Sequence, residues 1–285
     1  MHEVDTTPFR LPLTNDGAEL TLRGDIRAPR DGGPWPTVVL VHGFKGFKDW
    51  SFFPYAAERL ARAGMMTVTF NFSCNGVGEG TDFDELDKYG ANTYAREQAD
   101  LAALLGALRA EELPGAARCD TRRLALLGHS RGGGNSLIRA AEDAGIGAVV
   151  TWNGIGDVDL FSRDFRQTVL QDGIGYVENA RTKQQMPITA AFFEDLDANA
   201  ERYDLPTVLA GLRTPVLLLQ GDADSARLLD GFRRLREAAP AQTYAGIEGA
   251  GHTFGAVHPF AGTTAALEEA LERTLAFLGT QRIRP

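Results

Sequence analysis

Cysteine is scarce in this sequence, with only Cys74 and Cys119 among 285 residues. Two thiols leave room for one bridge at most and cannot form the disulfide framework of a small secreted protein. Long apolar runs are also missing, so the sequence contains no candidate for a membrane-spanning helix. The first residues have neither a basic start nor an apolar core, which argues against a secretory signal peptide. Together these features predict a cytoplasmic protein.

Basic residues are outnumbered, since 29 Lys and Arg stand against 38 Asp and Glu. The net charge is −9 and the isoelectric point is about 5.1. Proteins that bind nucleic acids or anionic membranes need a basic surface, so we expect neither as a partner. With 44% apolar residues the chain can bury a sizeable core, and we expect a single domain over residues 1–285.

Motifs for cofactors and metals are missing as well. The glycines at positions 76, 78 and 80 lack the Gly-x-Gly-x-x-Gly spacing that cradles a dinucleotide. The acidic run at residues 82–87 lacks the glycine and the final glutamate of a calcium-binding loop. We therefore expect no cofactor and no metal, and we interpret residues 73–90 as a solvated loop.

The most informative stretch is the motif Gly-His-Ser-Arg-Gly at residues 128–132. An apolar run precedes it and a helical pattern follows it, which predicts a strand, a sharp turn and a helix. In such a turn a Cβ at Gly128 or Gly132 would collide with neighbouring elements. The turn would expose the Ser130 hydroxyl as a nucleophile. The alternative is a glycine-rich turn with an inert serine.

The rest of the chain predicts an α/β fold. Phe9, Leu11 and Leu13, then Leu20 and Leu22, alternate around a turn at residues 14–17, as in a β-hairpin. Strands and helices then alternate to the C-terminus, which implies a mostly parallel sheet with helices on both faces. From residue 152 to about 212 no buried strand is evident, and we expect residues 154–209 to form a helical insertion, the cap segment, over one edge of the sheet.

A serine needs a base, and in this fold the base and its carboxylate follow strands. A predicted strand at residues 216–220 leads into a loop with Asp222 and Asp224, and the last strand leads into a loop with His252. The order serine, aspartate, histidine is the one expected for this type of sheet. His252 is the candidate base, and both aspartates are candidates for the acid.

The chain resembles the α/β-hydrolase fold family through His-Gly-Phe at residues 42–44, the serine motif and Gly251-His252. In that family the acid usually ends a Gly-x-x-Asp turn, which favours Asp224 over Asp222. An oxyanion hole needs two hydrogen-bond donors. The first candidate is the backbone N–H of Arg131, the residue that follows the nucleophile in the sequence. The resemblance implies the Phe44 N–H as the second. We expect the side chains of Arg131 and Lys45 to be solvated.

Within the family, the motifs are similar to serine esterases near the cinnamoyl and feruloyl esterases, and to catalytic domains of prolyl-oligopeptidase type. This resemblance implies a serine hydrolase that cleaves small acyl or aryl esters through an acyl-enzyme. A peptidase or amidase with the same triad is the first alternative, and a non-catalytic binding protein on the same fold is the second. The motifs do not indicate an oligomeric state.

The cap segment is rich in aromatic residues and carries two basic residues, Arg181 and Lys183. Its aromatic side chains are expected either to line an acyl or aryl pocket or to pack the segment onto the domain. Arg181 and Lys183 are candidates for holding a substrate carboxylate, with exposed helix charges as the alternative. The position of the segment, next to the loop that carries the acid, predicts that it controls substrate choice.

Overall fold

The structure, a computed structural model, describes residues 2–15, 17–281 and 283. Their main sheet has eight strands in the order β1-β2-β4-β3-β5-β6-β9-β10, and β7 and β8 form a separate hairpin. The strands are β1 (Val4–Asn15), β2 (Ala18–Pro29), β3 (Trp35–Val41), β4 (Met66–Asn71), β5 (Cys119–His129), β6 (Ala148–Trp152), β7 (Ile174–Glu178), β8 (Gln185–Thr189), β9 (Val216–Gly221) and β10 (Thr243–Ile247).

Helices follow most of the parallel strands. They are α1 (Phe53–Arg62), α2 (Leu86–Gly90), α3 (Tyr94–Arg109), α4 (Arg131–Glu142), α5 (Arg163–Asp172), α6 (Ala190–Ala198), α7 (Leu205–Gly211), α8 (Ala226–Ala238) and α9 (Ala265–Thr280). Apolar side chains of α1 and α9 pack on one face of the sheet, and those of α3, α4 and α8 pack on the other. The predicted helices on both faces are therefore confirmed.

The N-terminal hairpin is also confirmed. β1 pairs antiparallel with β2 from Val4 opposite Pro29 to Asn15 opposite Ala18, and β2 pairs antiparallel with β4. The remaining neighbours in the main sheet run parallel. The predicted turn between β1 and β2 includes Asp16, which lies outside the described residues.

The cap segment contains the expected helices, but the prediction that it lacks a buried strand is wrong. β7 and β8 pair antiparallel, and β8 buries Met186, Pro187 and Ile188. The two strands are short and a polar turn joins them, so neither shows a long alternating pattern. Residues 73–90 are not a solvated loop either, because Val77 and Phe83 are buried and α2 closes the stretch.

Candidate active site

Ser130 lies between β5 and α4 in a conformation that few residues other than glycine adopt. Its φ is 56° and its ψ is −121°. A Cβ on Gly128 would lie 2.1 Å from the Gly132 carbonyl oxygen, and a Cβ on Gly132 would lie 2.1 Å from the Val41 carbonyl oxygen. Only glycine fits at both positions, as the motif predicts, and the turn holds Ser130 at the carboxyl edge of the sheet.

His252 lies within hydrogen-bond distance of both predicted partners. Its Nε2 is 3.0 Å from Ser130 Oγ, and its Nδ1 is 2.9 Å from Asp224 Oδ2. With the proton on Nδ1, the ring donates to the carboxylate and accepts from the serine hydroxyl. The three residues follow β5, β9 and β10, so parallel strands bring together side chains that are far apart along the chain.

Asp224 and Asp222 have different surroundings. The Asp224 side chain is 3% exposed, whereas Asp222 is exposed and its Oδ1 accepts a hydrogen bond from the Gly249 amide. Burial acts to raise the pKa of Asp224, but hydrogen bonds from His252, the Ser225 amide and other donors outweigh it and hold the pKa below its usual range. The carboxylate next to His252 is therefore ionised at neutral pH.

The amides of Phe44 and Arg131 are free to donate. Neither has a hydrogen-bond acceptor in the part of the chain that the structure describes. Their loops are in contact, because a Cβ on Gly43 would lie 3.0 Å from Ser130 Cβ and 3.4 Å from the Arg131 nitrogen. The Arg131 amide also belongs to the first turn of α4, where N–H groups point outward and the helix dipole favours negative charge.

The expectation of a solvated Arg131 side chain is wrong. Arg131 is 3% exposed and its guanidinium lies 4.1 Å from the centre of the Tyr94 ring. Its Nε donates to Glu97 Oε2 at 3.0 Å. The first turn of α4 packs against α3, which carries Tyr94 and Glu97, so a charge that looks like a surface residue in the sequence is internal. Lys45 is half-buried, and its Nζ donates to the Glu178 carbonyl oxygen at 3.1 Å.

Two cavities meet at Ser130. The larger has a volume of about 420 Å³ and extends between the loops of His252 and Lys45 and the turn of the β7–β8 hairpin. The smaller, of about 160 Å³, lies towards Leu160 and Leu228. An ester bound at Ser130 would thus have room for one group on each side of the carbonyl.

The aromatic side chains of the larger cavity are Phe44, Trp50 and Phe53, which lie outside the cap segment. From the cap segment, the cavity is lined by residues 179–181 of the hairpin turn. The cap aromatics instead contact one another: Phe161 packs against Phe165, Phe192 and Phe193. None of these four residues lines the larger cavity, although Phe161 packs against Phe44 and Phe192 lines a separate small cavity beside Phe44 and Arg131.

The model of a family described as "Alpha/beta hydrolase family" matches residues 38–266 of the chain, from β3 into α9. This stretch includes the serine turn and the loops that carry Asp224 and His252. The chain belongs to the alpha/beta hydrolase family.

A named relative of this hydrolase-family chain agrees with the assignment. The 2,6-dihydropseudooxynicotine hydrolase of Paenarthrobacter nicotinovorans is 26% identical over 204 residues, which are 71% of this chain and 48% of that enzyme. This chain therefore spans about half the length of the curated relative that it matches here. The family and this relative are both described as hydrolases.

Solved structures share the fold at low sequence identity. Est1E from Butyrivibrio proteoclasticus superimposes with a TM-score of 0.67 and 17% identity, covering 96% of this chain and 99% of Est1E. The esterase domain of a Rhodothermus marinus protein superimposes with a TM-score of 0.62 and 20% identity, covering 98% of each chain. At such identities the likeness establishes the α/β-hydrolase fold.

Two residues that sequence reasoning missed hold the backbone carbonyl of His252 in this member of the family. Asn153 donates to the His252 carbonyl oxygen at 2.8 Å and accepts from the Gly221 amide at 2.7 Å. His129 contributes a second hydrogen bond to the same carbonyl, at 2.9 Å. Asn153 directly follows β6, and the rule that located Asp224 and His252, a polar residue after a parallel strand, would have located it too.

Three further expectations concern a disulfide bridge, a membrane-spanning helix and a metal site. Cys74 and Cys119 are free thiols, so the single bridge that the sequence allowed does not form. Among the described residues, no helix is long and apolar enough to cross a bilayer. No group of three or more histidine, cysteine or acidic side chains in residues 2–15, 17–281 and 283 is arranged to hold a metal ion.

Proposed function

We propose that this protein is a serine hydrolase of carboxylic esters, with Ser130 as nucleophile, His252 as general base and Asp224 as the acid that orients it. The observation that carries the proposal is the continuous pair of contacts from Ser130 Oγ to His252 Nε2 at 3.0 Å and from His252 Nδ1 to Asp224 Oδ2 at 2.9 Å. A serine hydroxyl is a weak nucleophile until a neighbouring base takes its proton, and this arrangement supplies that base.

The reaction has two halves. Ser130 Oγ attacks the ester carbonyl as its proton passes to His252 Nε2, and the amides of Phe44 and Arg131 donate to the oxyanion. The imidazolium returns its proton to the leaving alcohol, and an acyl-enzyme on Ser130 remains. A water then attacks the acyl carbon by the same route and releases the acid. Asp224 stays ionised throughout and stabilises the imidazolium.

The cavities support small acyl or aryl esters as substrates. A volume of about 420 Å³ suits a group of the size of a substituted aryl ring. The aromatic side chains of the larger cavity provide an apolar wall, and the hairpin turn of the cap segment forms part of its rim. We infer that the cap segment controls which ester binds and that the chemical step belongs to the triad. A cytoplasmic location, without cofactor or nucleic-acid partner, completes the proposal.

A fluorophosphonate probe with a panel of esters and amides tests this function. We expect the probe to label the wild-type protein and 4-nitrophenyl butanoate to be hydrolysed, with both signals lost in Ser130→Ala. Faster turnover of aminoacyl amides than of esters would make the protein a peptidase or amidase with the same triad. Absence of labelling and of turnover in a folded wild-type protein would favour a binding protein.

A further inference from the structure

The ionised groups that line the larger cavity are cations. Lys45 and Arg181 contribute positive charge, and none of the described residues lining this cavity is an aspartate or a glutamate. The chain as a whole has a net charge of −9. A local reversal of sign next to Ser130 attracts anions and disfavours cations.

The hairpin turn carries two cations with different partners. Lys183 Nζ donates to Glu178 Oε1 at 3.0 Å, and Lys183 is not among the residues that line the cavity. Arg181 lines the cavity, and its guanidinium has no carboxylate within ion-pair distance in residues 2–15, 17–281 and 283. The Arg181 amide donates to Oδ1 of the buried Asn179, so the backbone at this position is held in place. Arg181 and Lys183 are both exposed, as the alternative expected, but they lie on the turn of a hairpin and not on a helix, and of the two only Arg181 lines the cavity.

The effect of Arg181 on its surroundings agrees with this orientation. His258 lies in the wall of the same cavity, and its pKa is lowered, first by burial and then by the positive charge of Arg181. The guanidinium is thus close enough to the cavity wall to act on a group there.

Lys45 is the second cation and lies beside the proposed oxyanion loop. Burial lowers the pKa of its ammonium group, and the hydrogen bond that it donates goes to a neutral backbone carbonyl, that of Glu178. An ammonium group has three donors, so a carboxylate in the cavity would meet a cation that lacks a charged partner.

The smaller cavity at Ser130 offers a built-in comparison. Arg234 lies 3.8 Å from the Asp157 carboxylate and 3.3 Å from that of Asp230, whereas Arg227, like Lys45, donates to a backbone carbonyl, that of Asp159. Asp157 itself lines that cavity. The smaller cavity therefore has a carboxylate in its lining and the larger one has none.

We propose that the larger cavity is a carboxylate-binding subsite formed by Arg181 and Lys45, and that the substrate is an ester with a second, free carboxylate on the part that enters this cavity. Phe44, Trp50 and Phe53 would enclose the connecting group, which points to an aryl or short apolar spacer. That the ligand is an ester rests on the proposed function. The carboxylate-binding subsite itself can be tested by binding, without turnover.

The first experiment measures binding by titration calorimetry to the Ser130→Ala variant, which cannot turn over a substrate by the proposed route. The ligands are 4-(butanoyloxy)benzoate and its neutral amide counterpart 4-(butanoyloxy)benzamide, and a second pair carries the carboxylate or carboxamide on the acyl side. We expect the carboxylate of at least one pair to bind about tenfold more tightly, the scale of a charge-assisted hydrogen bond. Adding Arg181→Gln or Lys45→Gln should remove most of that ratio.

Lys183→Gln is the matched control, because it removes a cation from the same turn that already has a partner. It should leave the ratio unchanged. The proposal is overturned if both ligands of each pair bind equally, or if Arg181→Gln changes the ratio no more than Lys183→Gln does.

The second experiment measures kcat/KM for the same pairs with Ser130 intact. We expect the carboxylate preference to fall with Arg181→Gln and with added salt. A preference in binding without any ester hydrolysis or probe labelling would leave the subsite standing and reject the esterase function. Hydrolysis of the carboxylate and carboxamide esters at a ratio that Arg181→Gln leaves unchanged would reject the subsite and retain the esterase.

Discussion

Glu97 and Arg131 form a buried ion pair directly behind the serine turn, with Arg131 Nε 3.0 Å from Glu97 Oε2. Glu97 also accepts hydrogen bonds from Asn135 Nδ2 at 2.6 Å and from Asn92 Nδ2 at 2.7 Å. The Arg131 amide is one of the two proposed oxyanion donors, so the same residue joins the reaction centre to the interior between α3 and α4.

Removing the carboxylate of this pair should destabilise the fold strongly. Glu97→Ala leaves the Arg131 guanidinium buried without its counter-charge, and we expect the free energy of unfolding to fall by about 3–5 kcal/mol. Urea denaturation measures it. Glu178→Ala, which removes an exposed glutamate, should change stability by less than about 1 kcal/mol. Combining Glu97→Ala with Arg131→Met should recover part of the loss, and a double variant that only adds the two losses would contradict the pairing.

The two aspartates after β9 should differ sharply in their effect on catalysis. Asp224→Asn puts an amide where His252 needs a carboxylate, which favours the wrong tautomer and leaves the imidazolium without its counter-charge. In a serine triad this kind of change lowers kcat by about 10⁴-fold. Asp222→Asn loses only an exposed contact to the Gly249 amide and should retain activity within a few-fold. Steady-state kinetics on 4-nitrophenyl butanoate decides, and a larger loss from Asp222→Asn would reverse the assignment.

Two glycine-to-alanine changes should have opposite effects on stability. In Gly128→Ala the new Cβ would lie 2.1 Å from the Gly132 carbonyl oxygen, so the serine turn must deform; we expect a loss of about 1–3 kcal/mol or more and weaker probe labelling. Gly106 is an exposed residue within α3, and an added Cβ there would meet nothing within 4 Å. Gly106→Ala should stabilise by about 0.5–1 kcal/mol. The midpoint of thermal unfolding is measured for both variants. Equal effects of Gly128→Ala and Gly106→Ala would contradict the close packing around the serine turn.

Stability should fall in mild acid because of two buried histidines. Burial lowers the pKa of His42 to about 4 and that of His129 to about 3. Below their ordinary value of about 6.5 the unfolded chain therefore binds protons that the folded protein does not, and each histidine costs about 1.4 kcal/mol of stability per pH unit down to its folded value.

Asp100 opposes this trend, because burial raises its pKa to about 6 and the folded protein then binds a proton that the unfolded chain does not. Between about pH 6 and pH 5 these three groups together should give a net loss of about 1.4 kcal/mol per pH unit, measured by urea denaturation, and the lowered pKa of His258 adds to the loss. Asp100→Asn should steepen the slope and His129→Asn should flatten it. Slopes that neither variant changes would contradict the assignment to these buried groups.

Local patterns in the sequence determined the elements and the candidate residues. Alternation placed the first hairpin, apolar runs placed the parallel strands, and the Gly-x-Ser-x-Gly spacing marked a turn that only glycine can make. The candidate triad followed from the rule that functional side chains come after parallel strands. These inferences depend on neighbouring residues, for which steric limits and periodicity are sufficient.

Only the tertiary structure decided what each of these residues contacts. Arg131 is an ordinary charged residue in the sequence, and it is internal because Glu97, 34 positions earlier, lies on the helix packed against it. Asn153 bonds to the His252 carbonyl, 99 positions later. The aromatic walls of the larger cavity and the unpaired cation of Arg181 likewise arise where separate loops meet. Burial and pairing between distant segments are set by how the elements pack, and no local pattern encodes that packing.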